Sequence, residues 1–198
     1  DFGANIAYKT AKYFAEKNYN IISGLALGID SAAHKGALTA SQGKTTAVLV
    51  DVDDVYPKEN LDLAEKILSN DGLLIAENPP GTFSAGHLFV KRDRLQSGLS
   101  LGVFPIETGV KGGTMHTVKF SEDQNRLRFV PDFNSIDGYE AGTDCAKGVL
   151  KLISEDRADI FTKKDYKAII EKLNAKRQEL KKSLKMDNNQ NTQLNVFD

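Results

Sequence analysis

The amino-acid sequence predicts an α/β fold: a parallel sheet flanked by helices, followed by a C-terminal basic amphipathic helix. Three observations carry this reading. Short β-branched or apolar runs alternate with helical patterns over the first 130 residues. Turns bearing Gly, Pro, Asn or Asp punctuate that alternation. The last periodic segment sets apolar residues at helical spacing against a lysine-rich face.

The elements follow in order. Residues 4–17 form the first expected helix, with Ile6, Tyr13 and Phe14 in its apolar stripe. Asn20-Ile21-Ile22-Ser23 is a short buried strand closed by Gly24. A second helix covers 30–38. Thr45-Thr46-Ala47-Val48-Leu49-Val50 is the clearest strand in the chain, because β-branched residues dominate it. A helix over 59–68 has Pro57 just ahead of it and Asn70-Asp71-Gly72 behind. Leu73-Leu74-Ile75-Ala76 is another strand, ended by Pro79-Pro80. Then come a helix over 87–99, a strand over 101–106, a helix over 114–123 and a strand over 128–130. Residues 132–143 read as loop, 143–153 as helix and 158–161 as one more short strand. Thr162 offers an N-cap to a helix ending near Lys185, with Tyr166, Ile169, Ile170, Leu173, Leu180 and Leu184 along one face. The organisation expected is a domain over 1–160, the basic helix over 161–186 and a polar, disordered tail over 187–198.

Composition bounds what such a domain does. A chain of 198 residues with 40% hydrophobic and 27% charged residues supports one core of ordinary size. Mean hydropathy is −0.36 and no apolar run reaches the length of a membrane span. A single cysteine, Cys145, excludes an internal disulfide and points to a reducing, cytoplasmic setting. The chain opens inside a helical pattern with no Met and no signal core, so an N-terminal strand upstream is expected. Net charge is −1, but it is polarised. Residues 157–185 hold ten Lys/Arg against four Asp/Glu, whereas 1–156 hold sixteen against twenty-one. A polyanion would therefore meet a local basic patch.

Parallel strands joined by right-handed crossovers put every strand-to-helix loop on one edge of the sheet, where open α/β sheets bind ligands. That edge collects residues 23–28, 51–56, 77–81 and 107–113. The first of these loops runs Ser23-Gly24-Leu25-Ala26-Leu27-Gly28 into a small-residue helix, and the last runs Lys111-Gly112-Gly113-Thr114 into another. Glycines at a helix N-terminus let backbone N–H groups approach an anion, and tight packing alone also explains such turns. His34, His87 and His116 stand at no metal-ligand spacing, and His34 on its small-residue helix reads as structural. Neither a Gly-x-Ser-x-Gly elbow nor a Walker pattern is present.

Taken in series, the motifs resemble the DprA/Smf family. They are the run from Ser23 to Asp30 with Ala32-Ala33-His34 after it, Val55-Tyr56-Pro57-Lys58-Glu59-Asn60, Pro79-Pro80-Gly81, Gly86-His87, Lys91-Arg92-Asp93-Arg94-Leu95-Gln96-Ser97-Gly98-Leu99-Ser100, and Glu107 through Thr114. The resemblance covers roughly residues 3–131. It implies a Rossmann-like domain that binds single-stranded DNA without hydrolysing it, forms a homodimer, hands the strand to the recombinase RecA, and uses no cofactor or metal. An arginine from an N-terminal G-S/T-R motif of the family is not in this chain. Its R-R-N-R region is matched by Lys91, Arg92 and Arg94. On a helix 91 and 94 share a face while 92 points elsewhere, which favours Lys91 and Arg94 as the DNA-binding pair. The full candidate set is Ser23, Gly24, Gly28, Lys91, Arg92, Arg94, Lys111, Gly112, Gly113 and Thr114.

This chain departs from the family pattern at three places. Asp51-Val52-Asp53-Asp54 replaces glycines after the third strand of the family pattern, Asp93 replaces an Asn, and Leu88-Phe89-Val90 is one residue longer than usual. Carboxylates at a ligand edge repel phosphate and suit ribose hydroxyls. The competing expectation is thus a nucleotide-binding or nucleotide-cleaving protein, since Lys111 through Thr117 also resembles the P-G-G-x-G-T segment of LOG-type phosphoribohydrolases. Arg94 and Glu107 would be its cleaving pair. A third is a dimeric scaffold whose basic helix recruits a protein.

Overall fold

The computed structural model describes residues 2–135 and 143–194, with side chains up to 185. In chain order the elements are α1 (Phe2–Ala15), β1 (Ile21–Ser23), α2 (Ile29–Leu38), β2 (Thr45–Leu49), α3 (Leu61–Ser69), β3 (Leu73–Ala76) and α4 (Gly86–Gly98). They continue with β4 (Gly102–Val103), α5 (Thr114–Asp123), β5 (Leu127–Pro131), α6 (Asp144–Ser154), β6 (Asp159–Phe161) and α7 (Tyr166–Leu194). Every strand pairing is parallel. The α/β class is as the sequence predicts, and no described helix is long and apolar enough to cross a membrane.

The sheet is interrupted. Two three-stranded halves form, ordered β1-β2-β3 and β4-β5-β6. Ile21 lies opposite Thr45 and Thr46 opposite Leu73 in one half; Val103 lies opposite Arg128 and Phe129 opposite Asp159 in the other. Among the described residues no ladder joins β1 to β4. A cavity of about 900 Å³ separates them, walled by Ile21 and Ile22 on one side, Gly102 and Val103 on the other, and Phe14 and Leu173 from the helices. The strand expected over 101–106 shrinks to two residues for this reason. It has a partner only in β5, and Pro105 brings no N–H to a ladder.

β2 is buried at every position, as suits a central parallel strand covered on both faces. Leu25, Leu49, Leu63 and Ile67 pack together between it and α3. The main core gathers Phe14, Phe129, Phe161, Tyr166, Ile169 and Leu173. α7 is therefore built into the domain. Tyr166 stacks within 5.4 Å of Phe14, and its hydroxyl shares a hydrogen bond with Thr10 at 2.8 Å. Truncating Leu173 there would cost about 2–5 kcal/mol.

α7 corrects two expectations. Its N-cap is Asp165, whose carbonyl accepts the first helical N–H from Ile169 at 2.9 Å. Thr162 instead donates both its N–H and its hydroxyl to the Asp165 carboxylate at 2.8 Å, holding that carboxyl below its usual range. The helix also runs on to Leu194, through most of the stretch read as disordered; no Gly or Pro interrupts it. The last four residues lie outside the described ones. The apolar face stops earlier, with Leu173 buried and Leu184 exposed.

Candidate functional site

Because the strands are parallel, the loops after β1, β2, β3 and β4 share one edge, and the cavity opens there. The first loop closes on itself. Asp30, in the first turn of α2, accepts hydrogen bonds from the Ser23 hydroxyl at 2.7 Å and from the backbone N–H groups of Gly24 and Ala26 at 3.1 Å each. A carboxylate at a helix N-terminus is favoured by the dipole, so the loop carries its own anion. Ser23 and Gly24 line the cavity, but these donors face Asp30 rather than a ligand. Gly28 sits at φ 86°, the backbone reason for a glycine at the α2 N-cap, and it is not part of the cavity wall. Leu25 is held at φ 64° with its side chain buried. Asn60 secures it, donating to Leu25 O at 2.7 Å and to the Ser31 hydroxyl at 2.8 Å.

Of the carboxylates after β2, Asp53 and Asp54 are exposed and Asp51 turns inward. Asp51 is buried and accepts N–H groups from Asp53 at 2.9 Å and Gly81 at 2.7 Å, tying the loop after β2 to the loop after β3. These bonds, that from Asp53 foremost, hold its carboxyl below the usual range. Asp54 pairs with Lys58. Asp51 is thus not presented to a ribose, contrary to the expectation from its charge.

The three cations of α4 part company. Arg92 is only 8% exposed and lines the cavity. Its Nη1 donates to Val48 O at 2.9 Å, its guanidinium stacks on Phe89 at 5.9 Å, and Phe89 in turn meets Tyr56 at 5.5 Å. Asp93, equally buried, lies 3.6 Å from Arg92 Nε and accepts a 2.9 Å bond from Gln96. Among the described residues Arg92 Nε has no hydrogen-bond partner. Burial pushes the Asp93 carboxyl up to about 6, against the pull of Arg92. Lys91 and Arg94 do share a face, as the spacing predicts, but outside the cavity wall. Both are paired to Glu77, Lys91 at 3.4 Å, and the hydrogen bond from Arg94 foremost lowers the Glu77 carboxyl.

The far wall is the start of α5. Gly113, its N-cap, lines the cavity together with Thr114 and Thr117; Lys111 and Gly112 do not. Glu107 also lines it and lies against Gly3 at the start of α1. Arg94 and Glu107, the expected cleaving pair, are therefore not brought together. His34 is buried beneath the site, hydrogen-bonded through Nδ1 to Thr45 at 2.7 Å. Thr45 donates its own proton to Ile21 O at 2.7 Å, so the imidazole carries its hydrogen on Nδ1. Burial pushes it down to about 4 and keeps it neutral. Asp30, Asn60 and Asp93 are the residues that motif reading left out of the site. Asp30 and Asn60 end two of the quoted motifs, which was the available signal.

The arrangement combines a buried guanidinium, an adjoining aromatic surface and a helix N-terminus with the carboxyl groups of Asp30, Asp93 and Glu107 around one cavity. A guanidinium and a helix N-terminus are groups that can hold an anion.

Comparison with known proteins gives one consistent result. The chain is 32% identical over 165 residues to DNA processing protein DprA of Bacillus subtilis, covering 83% of this chain and 53% of that one. It is 29% identical over 160 residues to protein Smf of Borreliella burgdorferi, covering 81% and 48%. The chain thus spans about half the length of these relatives. The solved structure of DprA from Streptococcus pneumoniae superimposes with a TM-score of 0.68 at 32% identity, over 82% of this chain and 54% of the other. That of DNA processing protein A from Helicobacter pylori gives 0.71 at 22% identity, over 91% and 75%, a likeness of fold. Residues 1–174 match the family model of DNA recombination-mediator protein A, and the chain belongs to this DprA/Smf family.

Proposed function

We propose that this chain is a single-stranded DNA-binding domain of DprA type, which holds the strand for recombination without cleaving it. The observation that carries the reading is Arg92: a buried guanidinium facing a cavity, stacked on the half-buried Phe89, which in turn meets the exposed Tyr56. A cation together with ring faces is what single-strand recognition needs, because every base offers a π-face and every linkage a phosphate. The α5 N-terminus opposite adds a favourable dipole and the N–H of Thr114 for a second phosphate, the Met115 and His116 N–H groups being engaged by Gly112 O and Gly113 O. Family membership supports the reading, as does the description of the Helicobacter pylori protein as one that binds single-stranded DNA. A strand upstream of α1 that fills the gap between β1 and β4, a homodimer, delivery of the strand to RecA and residence in the cytoplasm belong to the same proposal and rest on family membership. The test is fluorescence anisotropy with oligo-dT and with duplex of equal length across a salt series. Binding that prefers the single strand and falls steeply with salt is expected. Absent or salt-independent binding overturns the proposal.

A further inference from the structure

We propose that Asp93 couples anion binding to protonation: its carboxylate, buried beside Arg92 in the cavity wall, competes with an incoming phosphodiester for the guanidinium, so that anion binding draws a proton onto Asp93. This rests on the DNA-binding reading and deepens it.

The geometry leaves Arg92 half-engaged. One Nη1 hydrogen bond goes to Val48 O, and the Nε side faces Asp93 Oδ1 at 3.6 Å. Both residues are 8% exposed and both line the cavity, so an anion reaching the guanidinium stands beside the Asp93 carboxylate with little water between. Two negative charges on one buried cation repel, and the one able to take a proton does so.

Asp30, His34 and His116 are the other titratable groups near Asp93 and Arg92. From α2, Asp30 faces it, but that carboxylate is engaged by three loop donors. His34, also on α2, faces Arg92 and stays neutral. From α5, His116 faces Asp93, and on α4 itself Gln96 donates to it. Glu77, Lys91 and Arg94 form their own cluster. Asp93 already stands raised to about 6 before any anion arrives, so a modest further rise carries it through neutral pH. By linkage, the affinity gained on acidification equals the rise in proton affinity caused by the anion, and one unit of further shift corresponds to about tenfold.

The experiment measures binding of oligo-dT and of inorganic sulfate, neither of which changes charge in the range, between pH 5 and 8. Wild type, Asp93→Asn and His116→Gln are compared, with circular dichroism confirming the fold. Wild type is expected to bind about tenfold tighter at pH 5.5 than at pH 7.5. Asp93→Asn should bind tightly throughout with a flattened profile, and His116→Gln should keep the wild-type profile. A wild-type profile that is flat overturns the inference whatever the variants do, as does one unchanged in Asp93→Asn, while the DNA-binding reading stands. Sulfate binding with the expected profile but no oligo-dT binding supports the proton-linked receptor and removes the DNA reading. No binding of either probe at any pH overturns both.

Discussion

The guanidinium of Arg92 occupies the space over Gly24 that any side chain at position 24 would need: a Cβ built there falls 1.7 Å from Nη1. Two motifs distant in sequence are thereby interlocked, the glycine of the first loop making room for the cation of α4. The same approach brings Arg92 within reach of Val48 O at the end of β2.

Gly24→Ala is accordingly expected to push Arg92 out of its seat. Overpacking of this kind costs about 1–3 kcal/mol, and the displaced guanidinium no longer faces the cavity. Thermal unfolding should show the loss of stability, and oligo-dT affinity should fall by about tenfold or more, one charge-assisted contact being worth ~1.5–3 kcal/mol. Unchanged affinity in a folded Gly24→Ala protein would show that Arg92 does not touch the strand.

Glu77 sets a different expectation for Lys91 and Arg94. It neutralises both in the resting protein, so Glu77→Gln should release two cations at the ligand edge. Exposed pairs of this kind are weak and screened by salt, which predicts oligo-dT binding about two- to fivefold tighter and a steeper dependence on salt. Arg94→Ala should then matter little in the wild-type background and more in Glu77→Gln. Weaker binding in Glu77→Gln would mean that Glu77 presents the cations instead of competing for them.

Periodicity and turn chemistry carried most of the fold. The helix expected over 114–123 and the strand Leu73-Leu74-Ile75-Ala76 have the observed bounds, because Gly-Gly and Asn-Asp-Gly punctuate them locally. Spacing also separated position 92 from 91 and 94. What it could not tell was which of the two faces looks into the cavity. α4 has scattered apolar residues and no clear stripe, so its rotation is set by contacts with Gly24 and Val48 rather than by its own pattern. The closed loop at Asp30 was hidden for a similar reason. A carboxylate reads as a repelling charge until the chain is seen to fold back and place three donors around it. The gap between β1 and β4 is likewise invisible to strand-by-strand reading, since each flanking strand is regular by itself.

The buried titratable pair makes stability depend on pH in opposite senses. His34 stands at about 4 in the fold against an ordinary value of 6.5, so its neutral burial stabilises fully above pH 6.5 and that contribution is lost as pH falls towards 4. Asp93 stands at about 6 against 3.8, so the cost of ionising it is present above pH 6 and is relieved as pH falls towards 3.8. The two offset each other between pH 4 and 6. Asp93→Asn uncovers His34, and urea unfolding should show a steeper loss of stability across that interval than in wild type. His34→Gln should show the reverse, a lower stability at pH 7.5 with a flattened or inverted acid slope. Parallel profiles in the three proteins would refute the assignment.

The interrupted sheet leads to the last expectation. Among the described residues β1 and β4 each present an unpaired inner edge to a largely apolar cavity of about 900 Å³. Unpaired parallel edges over apolar walls are a template for one more strand, and about 4.8 Å on either side is the spacing it needs. α1 begins against Glu107, in the loop that follows β4, so its N-terminus lies at the C-terminal edge of the strands. A strand leading directly into α1 would end at that edge and so run parallel to β1. The unit of strand, α1 and β1 is then a right-handed crossover of the ordinary kind, and the loop between strand and helix opens beside Arg92 and Gly113. Extending the chain at its N-terminus by one apolar strand is therefore expected to raise the melting temperature by at least ~5 °C, each kcal/mol being worth roughly 2–4 °C in a domain of this size. Amide exchange should slow at Ile21, Ile22, Gly102 and Val103, where new ladder bonds form. Proline placed at an inner position of the added strand should cancel both effects, because it removes a ladder donor. An extension that leaves melting and exchange untouched would mean that no strand pairs in the gap, and the upstream strand would have to be given up.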